Sequence, residues 1–109
     1  MNDQRAYPRI AIRYQVTFSA PVGAGVGYIL DLSLEGCSME ASPPIPQRSY
    51  VQLRIIPADG ETPILVELAA VRWVHERECG IQFLSMRADQ RERLRTLLDQ
   101  LQSHEPPVT

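Results

Sequence analysis

The chain contains no lysine; all 11 of its basic residues are arginine. At most positions this is the expected imprint of a GC-rich genome, yet it also means that any anion gripped here is gripped by guanidinium forks rather than by point-like ammonium groups. Cysteine is scarce as well. Cys37 and Cys79 are too few for a disulfide framework, and the expectation is two small, reduced thiols, buried or half-buried. No apolar run approaches the roughly 20 residues that span a bilayer, and Met1 leads straight into polar sequence without a signal-peptide core. A cytoplasmic protein with no membrane insertion is therefore expected. Nor is there an excess of positive charge: a net charge of -2 argues against the broad basic face that DNA or RNA rewards, whereas a small dianionic ligand needs only local cations.

What is present suits one domain. At 109 residues and 44% hydrophobic content the chain can bury a single core, with little room for a separate catalytic unit. Residues 1–12 read as a polar N-terminal arm, extended by Pro8 and mobile without ligand; residues 13–103 carry the periodic patterns; residues 104–109 read as a frayed tail. Tyr14, Val16 and Phe18 alternate with polar neighbours as in a half-buried strand. Gly23, Gly25 and Gly27 then mark a hairpin turn, since no helix follows to make a phosphate loop of them.

Strands are expected over Tyr28 to Leu32 and Gly36 to Glu40, followed by a rigid proline loop from Ser42 to Pro46. Val51, Leu53 and Ile55 share one face of the next strand, and Pro57-Ala58-Asp59-Gly60 turns into a long strand from Ile64 to about His75. There Ile64, Val66 and Leu68 have one parity while Val71 and Trp73 have the other, so a β-bulge near Ala69-Ala70 is expected to restore one inward face. Strand aromatics usually fill cores, which places Trp73 inside and leaves a ligand-platform role secondary. Gly80 to Leu84 forms the last strand, with Ile81 and Phe83 inward. Leu94, Leu97, Leu98 and Leu101 then follow the spacing of one helix face, with Ser85 as the expected N-cap.

Two polar clusters carry the chemistry: Arg5-Ala6-Tyr7-Pro8-Arg9, and Asp31-Leu32-Ser33-Leu34-Glu35-Gly36. A guanidinium can hold a phosphate, meet the O6/N7 edge of guanine in two hydrogen bonds, or lie on a purine face. A carboxylate complements guanine's adjacent ring N–H and amino donors. Ser33 can donate to a phosphate, and Gly36 allows close approach to the backbone. Read blandly, the arginines are a solvated pair and Asp31 and Ser33 are turn formers bonding their own backbone, a role compatible with ligand contact.

Arg-x-x-x-Arg followed by Asp-x-Ser-x-x-Gly, upstream of Trp73 and the Gly80-Ile81-Gln82-Phe83 segment, resembles the PilZ domain, a bacterial receptor for cyclic di-GMP. The resemblance spans nearly the whole chain. It implies a mainly β fold, a small six-stranded antiparallel split barrel with a C-terminal α-helix, and a ligand held between the arm and the barrel's outer surface. It further implies that Arg5, Arg9, Asp31, Ser33 and Gly36 bind cyclic di-GMP, with Gln4, Arg13 and Trp73 as secondary candidates. Gln4 departs from the family pattern, in which many members place another arginine. The function implied is reception of a second messenger and its relay to an unidentified downstream protein by a monomer or weak homodimer. The alternative is an interaction module for a pilus, flagellar or enzyme partner, acting without nucleotide.

Neither enzyme nor metal protein is expected. His75, Cys79, Cys37 and His104 lack the paired short spacings of a zinc site. Asp31, Ser33 and His75 lack a nucleophile elbow, and no second carboxylate pairs for acid–base work. No cofactor beyond the nucleotide ligand is called for.

Overall fold

A computed structural model describes residues 9–21, 23–57 and 62–103. Six strands, β1 (Ile10–Ala20), β2 (Gly23–Leu32), β3 (Gly36–Ser42), β4 (Tyr50–Ile56), β5 (Ile64–His75) and β6 (Glu78–Ser85), precede one helix, α1 (Ala88–Ser103). All pairings are antiparallel, and the order β1-β2-β3-β6-β5-β4 closes on itself as a barrel. Closure removes the unpaired edges that an open sheet would expose. The period-two residues Val16, Phe18, Ile29, Met39, Val51, Leu53, Ile55, Val66 and Ile81 fill the interior, as the alternation requires.

Helix α1 packs on β5 and β1. Leu94 and Leu98 join the core and Leu97 packs against it, in keeping with the helical spacing. Burying each leucine contributes about 1.5–3 kcal/mol. Polar contacts fix the docking angle: the Gln90 Oε1 accepts from the Leu65 amide at 2.8 Å, and the Arg93 guanidinium donates to the carbonyls of Thr62 and Pro63. Ser85 belongs to β6 and lies outside the helix start, so it does not cap α1.

Two further expectations are corrected. Strand β1 begins at Ile10, so Ile10, Ala11 and Ile12, assigned to the arm by their sequence, form part of the barrel wall, with Ile10 opposite Leu32 and Ala11 opposite Asp31. The glycine series lies within β2, and the hairpin closes between Ala20 and Gly23. At Gly25 a Cβ would meet the Ser42 carbonyl of β3 at 2.5 Å and the Phe18 ring at 2.6 Å, so this glycine makes room for a neighbouring strand and a core aromatic rather than for a turn.

The long strand β5 solves its parity conflict with a bulge. Against β4, Glu67 and Leu68 together oppose Gln52 between the pairs Val66–Leu53 and Ala69–Val51, so Ala69 replaces Leu68 on the inward face and Leu68 is turned out. That bulge lies where the sequence demanded it. A further irregularity, in the ladder with β6 between Val71 and Trp73, inserts Arg72 and rotates Trp73 outward, leaving the residue 44% exposed. Trp73 is therefore not a core residue; one extra residue in the ladder reverses the face of everything beyond it.

Candidate functional site

The two polar clusters meet across the β1–β2 pair. The Arg9 Nη1 donates to Asp31 Oδ1 at 2.7 Å, and the two side chains keep 25% and 34% of their surface exposed. Asp31 is held from behind by β3: the Ser38 amide donates to Oδ1 at 3.3 Å and the Ser38 hydroxyl to Oδ2 at 2.8 Å. Bulges put these groups where they are. Ile12 and Arg13 together oppose Leu30, and Leu30 is in turn the extra residue between Ile29 and Asp31 in the β2–β3 ladder. Such insertions re-aim neighbouring side chains.

Behind Asp31 the chain reverses through Ser33 to Gly36. The Ser33 amide donates to the Gly36 carbonyl at 2.8 Å, its hydroxyl reaches the same oxygen at 3.3 Å, and the Glu35 amide donates to the Ser33 Oγ at 3.2 Å. Ser33 is fully buried. A Cβ at Gly36 would overlap the Ile81 carbonyl of β6, so this glycine permits strand contact at the turn. The Phe83 amide donates to the Glu35 carbonyl at 2.9 Å and ties the turn to β6.

Next to the Arg9–Asp31 pair lies a surface depression of about 250 Å3, lined by Arg9, Glu35, Arg72, Trp73, Gly80, Ile81 and Gln82. It offers an indole face, two guanidiniums, an amide and the carboxylate of Glu35. Gln82 Oε1 accepts from Arg72 Nε at 2.6 Å, which aims the rest of that guanidinium. Arg72, Gln82 and Glu35 carry no motif of their own. The insertion that turns Arg72 and Trp73 toward this patch breaks no hydrophobic pattern, so the sequence carries no signal for it.

Arg13 stacks over the exposed ring of Tyr28, 4.5 Å from its centroid, and does not line the depression. Arg5 and Gln4 lie outside the described residues. The structure thus unites Arg9, Asp31 and Trp73, sets Ser33 and Gly36 into the supporting turn, and gives Arg13 an aromatic partner.

Neither cysteine lines the depression. Both are buried and unpaired to each other. Burial pushes the Cys37 thiol far above its ordinary range, and burial with the Glu78 charge pushes Cys79 up to about 11. Among the described residues no group of three His, Cys, Asp or Glu could hold a metal, and no helix is long and apolar enough to cross a membrane.

Solved structures share this architecture. The PilZ domain of CeSA from a cellulose-synthesizing bacterium superposes with a TM-score of 0.67 at 18% identity, over 87% of this chain and 98% of that one. The PilZ domain of YcgR from Escherichia coli, solved with c-di-GMP, gives 0.74 at 16% identity over 93% of both chains. The Bacillus subtilis inhibitor of motility MotI/DgrA gives 0.76 at 15% identity, this chain covering 54% of its length. Comparison with curated proteins gives no match. The PilZ domain family model matches residues 3–100, from the arm through most of α1, and with barrel, helix and the juxtaposed arginine and aspartate motifs in place, the chain belongs to the PilZ domain family.

Proposed function

We propose that this protein is a cyclic di-GMP receptor that relays ligand occupancy to a partner protein. The observation that carries the reading is the 2.7 Å contact between Arg9 and Asp31 beside an outward-facing Trp73. Residues from both motifs converge on one patch of outer wall, and that patch offers the three chemistries a guanine dinucleotide presents a need for: cations for phosphates, a carboxylate for the guanine edge, and an aromatic face for the purine.

In this reading Arg5 and Arg9 hold phosphates and guanine edges or faces, Asp31 accepts from a guanine, and Trp73 carries a stacked base. Arg72, aimed by Gln82, adds a cation from the lining of the depression. Ser33 and Gly36 frame the turn that presents Asp31, the buried Ser33 hydroxyl bonding the Gly36 carbonyl and the Glu35 amide. Gln4 and Arg13 are supplementary donors. Because Arg9 and Asp31 are both part-exposed, breaking their pair on ligand entry leaves no charge stranded in the core, and an exposed pair of this kind costs only about 0–1 kcal/mol to separate.

The family implies a receptor or adaptor rather than a catalyst, and the buried, protonated thiols offer no nucleophile. A cytoplasmic setting suits these reduced cysteines. Isothermal titration with cyclic di-GMP tests the reading: saturable micromolar or tighter binding supports it, while no saturable heat with folded protein overturns it in favour of a nucleotide-independent interaction module.

A further inference from the structure

The carboxylate of Asp31 has two oxygens with about four lone-pair directions between them. Ser38 occupies one on each, through its amide to Oδ1 at 3.3 Å and its hydroxyl to Oδ2 at 2.8 Å. Arg9 occupies the second on Oδ1. With Arg9 drawn away by a phosphate, one direction is left free on each oxygen. That is the acceptor pattern needed by guanine's adjacent ring N–H and 2-amino group.

We infer that Ser38 is the positioning residue that sets guanine specificity at this site, by clamping both oxygens of Asp31 so that their remaining lone pairs face the ligand side by side. The inference rests on the receptor reading above. Ser38 is 6% exposed, sits on β3 opposite Asp31 in the ladder, and belongs to neither sequence motif. Its hydroxyl fixes the rotation of the carboxylate plane; its amide, being backbone, cannot be lost by substitution. A carboxylate held only at Oδ1 can still accept one hydrogen bond, but loses the two-point match to guanine. Ser38 touches Asp31 and not the ligand, so its effect is on discrimination between bases more than on attraction for a dinucleotide.

The test compares cyclic di-GMP with its inosine analogue, which keeps the ring N–H and O6 but lacks the 2-amino group. Calorimetry on the full chain is run for wild type, Ser38→Ala and Ser38→Thr. Wild type should prefer the guanine ligand by about tenfold or more, the value of one charge-assisted hydrogen bond. Ser38→Ala should lose most of that preference, falling to about threefold or less, with its affinity for the inosine ligand nearly unchanged, and Ser38→Thr, which keeps the hydroxyl, should restore it. Because the preference is a ratio within each variant, a general loss of stability does not imitate the effect. An unchanged ratio in Ser38→Ala overturns the positioning role while leaving the receptor reading intact. Equal wild-type affinity for both ligands overturns the edge-reading role of Asp31 and this inference with it. No wild-type binding of either removes the receptor reading and the inference together.

Discussion

The five-membered ring of Trp73 covers Gly80, its register partner on β6, so closely that a Cβ there would overlap the indole Nε1. The glycine is what allows an outward tryptophan to lie down against the barrel wall and form the floor of the depression instead of standing away from it. Gly80→Ala should therefore lift the indole, raising its exposure and shifting its fluorescence, and should weaken cyclic di-GMP binding about as much as Trp73→Ala does. Loss of one base-stacking platform corresponds to about 1–3 kcal/mol, or roughly 5- to 150-fold in affinity. Wild-type binding by Trp73→Ala would remove the stacking role.

Arg9→Ala and Asp31→Ala should each weaken cyclic di-GMP binding by roughly 5- to 150-fold, as expected for a polar contact worth about 1–3 kcal/mol. Arg9→Ala should move the melting temperature little, since the ion pair is part-exposed and contributes at most about 1 kcal/mol, whereas Asp31→Ala should lower it, because the Ser38 amide and hydroxyl lose their acceptor. Arg5→Lys should also bind more weakly despite its retained charge, because an ammonium cannot reproduce a planar fork. Equal affinity for that variant would reduce Arg5 to a bulk charge.

Barrel and helix were legible because the interior positions of β1, β4 and α1 obey strict period-two or helical spacing, which burial then enforces. Asp31 and Arg9 were legible as motifs. The rest depended on where single residues are inserted in the ladders. The β5 bulge near Ala69 is forced by apolar residues on conflicting parity, whereas the insertion of Arg72 breaks no hydrophobic pattern, and so the outward turn of Trp73 could not be read. Ser38 escaped notice for a related reason. Its role comes from a cross-strand register, Asp31 opposite Ser38, that exists only once Leu30 is bulged out of the β2–β3 ladder. Gly25 reads as a turn former because a glycine that clears space for a neighbouring strand and a core ring leaves the same letter in the sequence as one that makes a turn.

Stability should fall in alkaline solution through the buried thiols. Cys79 ionises at about 11 in the folded protein against an ordinary 9.0, so the unfolded chain loses its proton first. Stability from keeping this thiol neutral is fully present below pH 9 and is lost as pH rises from there through about 11. The difference in unfolding free energy between wild type and Cys79→Ala should be constant below this window and shrink across it, by up to about 2 kcal/mol. Denaturant titrations at a series of pH values measure it, and a flat difference would show that the thiol is solvated in the fold.

Stoichiometry depends on where the cations stand. A stacked pair of cyclic di-GMP molecules concentrates four phosphate charges and several guanine edges in a small volume, and it needs more than the Arg5–Arg9 pair to balance them. Gln4 brings no charge, and Arg13 lies over Tyr28 away from the depression. Arg72, which lines the same depression, supplies the missing guanidinium, its Nε anchored to Gln82 at 2.6 Å. Two ligands per chain are therefore expected in the wild type, and Arg72→Ala should shift the endpoint toward one while retaining the tighter of the two sites. Calorimetry at known active concentration decides between these outcomes. A wild-type endpoint at one ligand per chain would mean that Arg72 does not replace the cation absent at Gln4. An endpoint of two that survives Arg72→Ala would place the balancing charge elsewhere, with Arg13 released from Tyr28 the next residue to substitute.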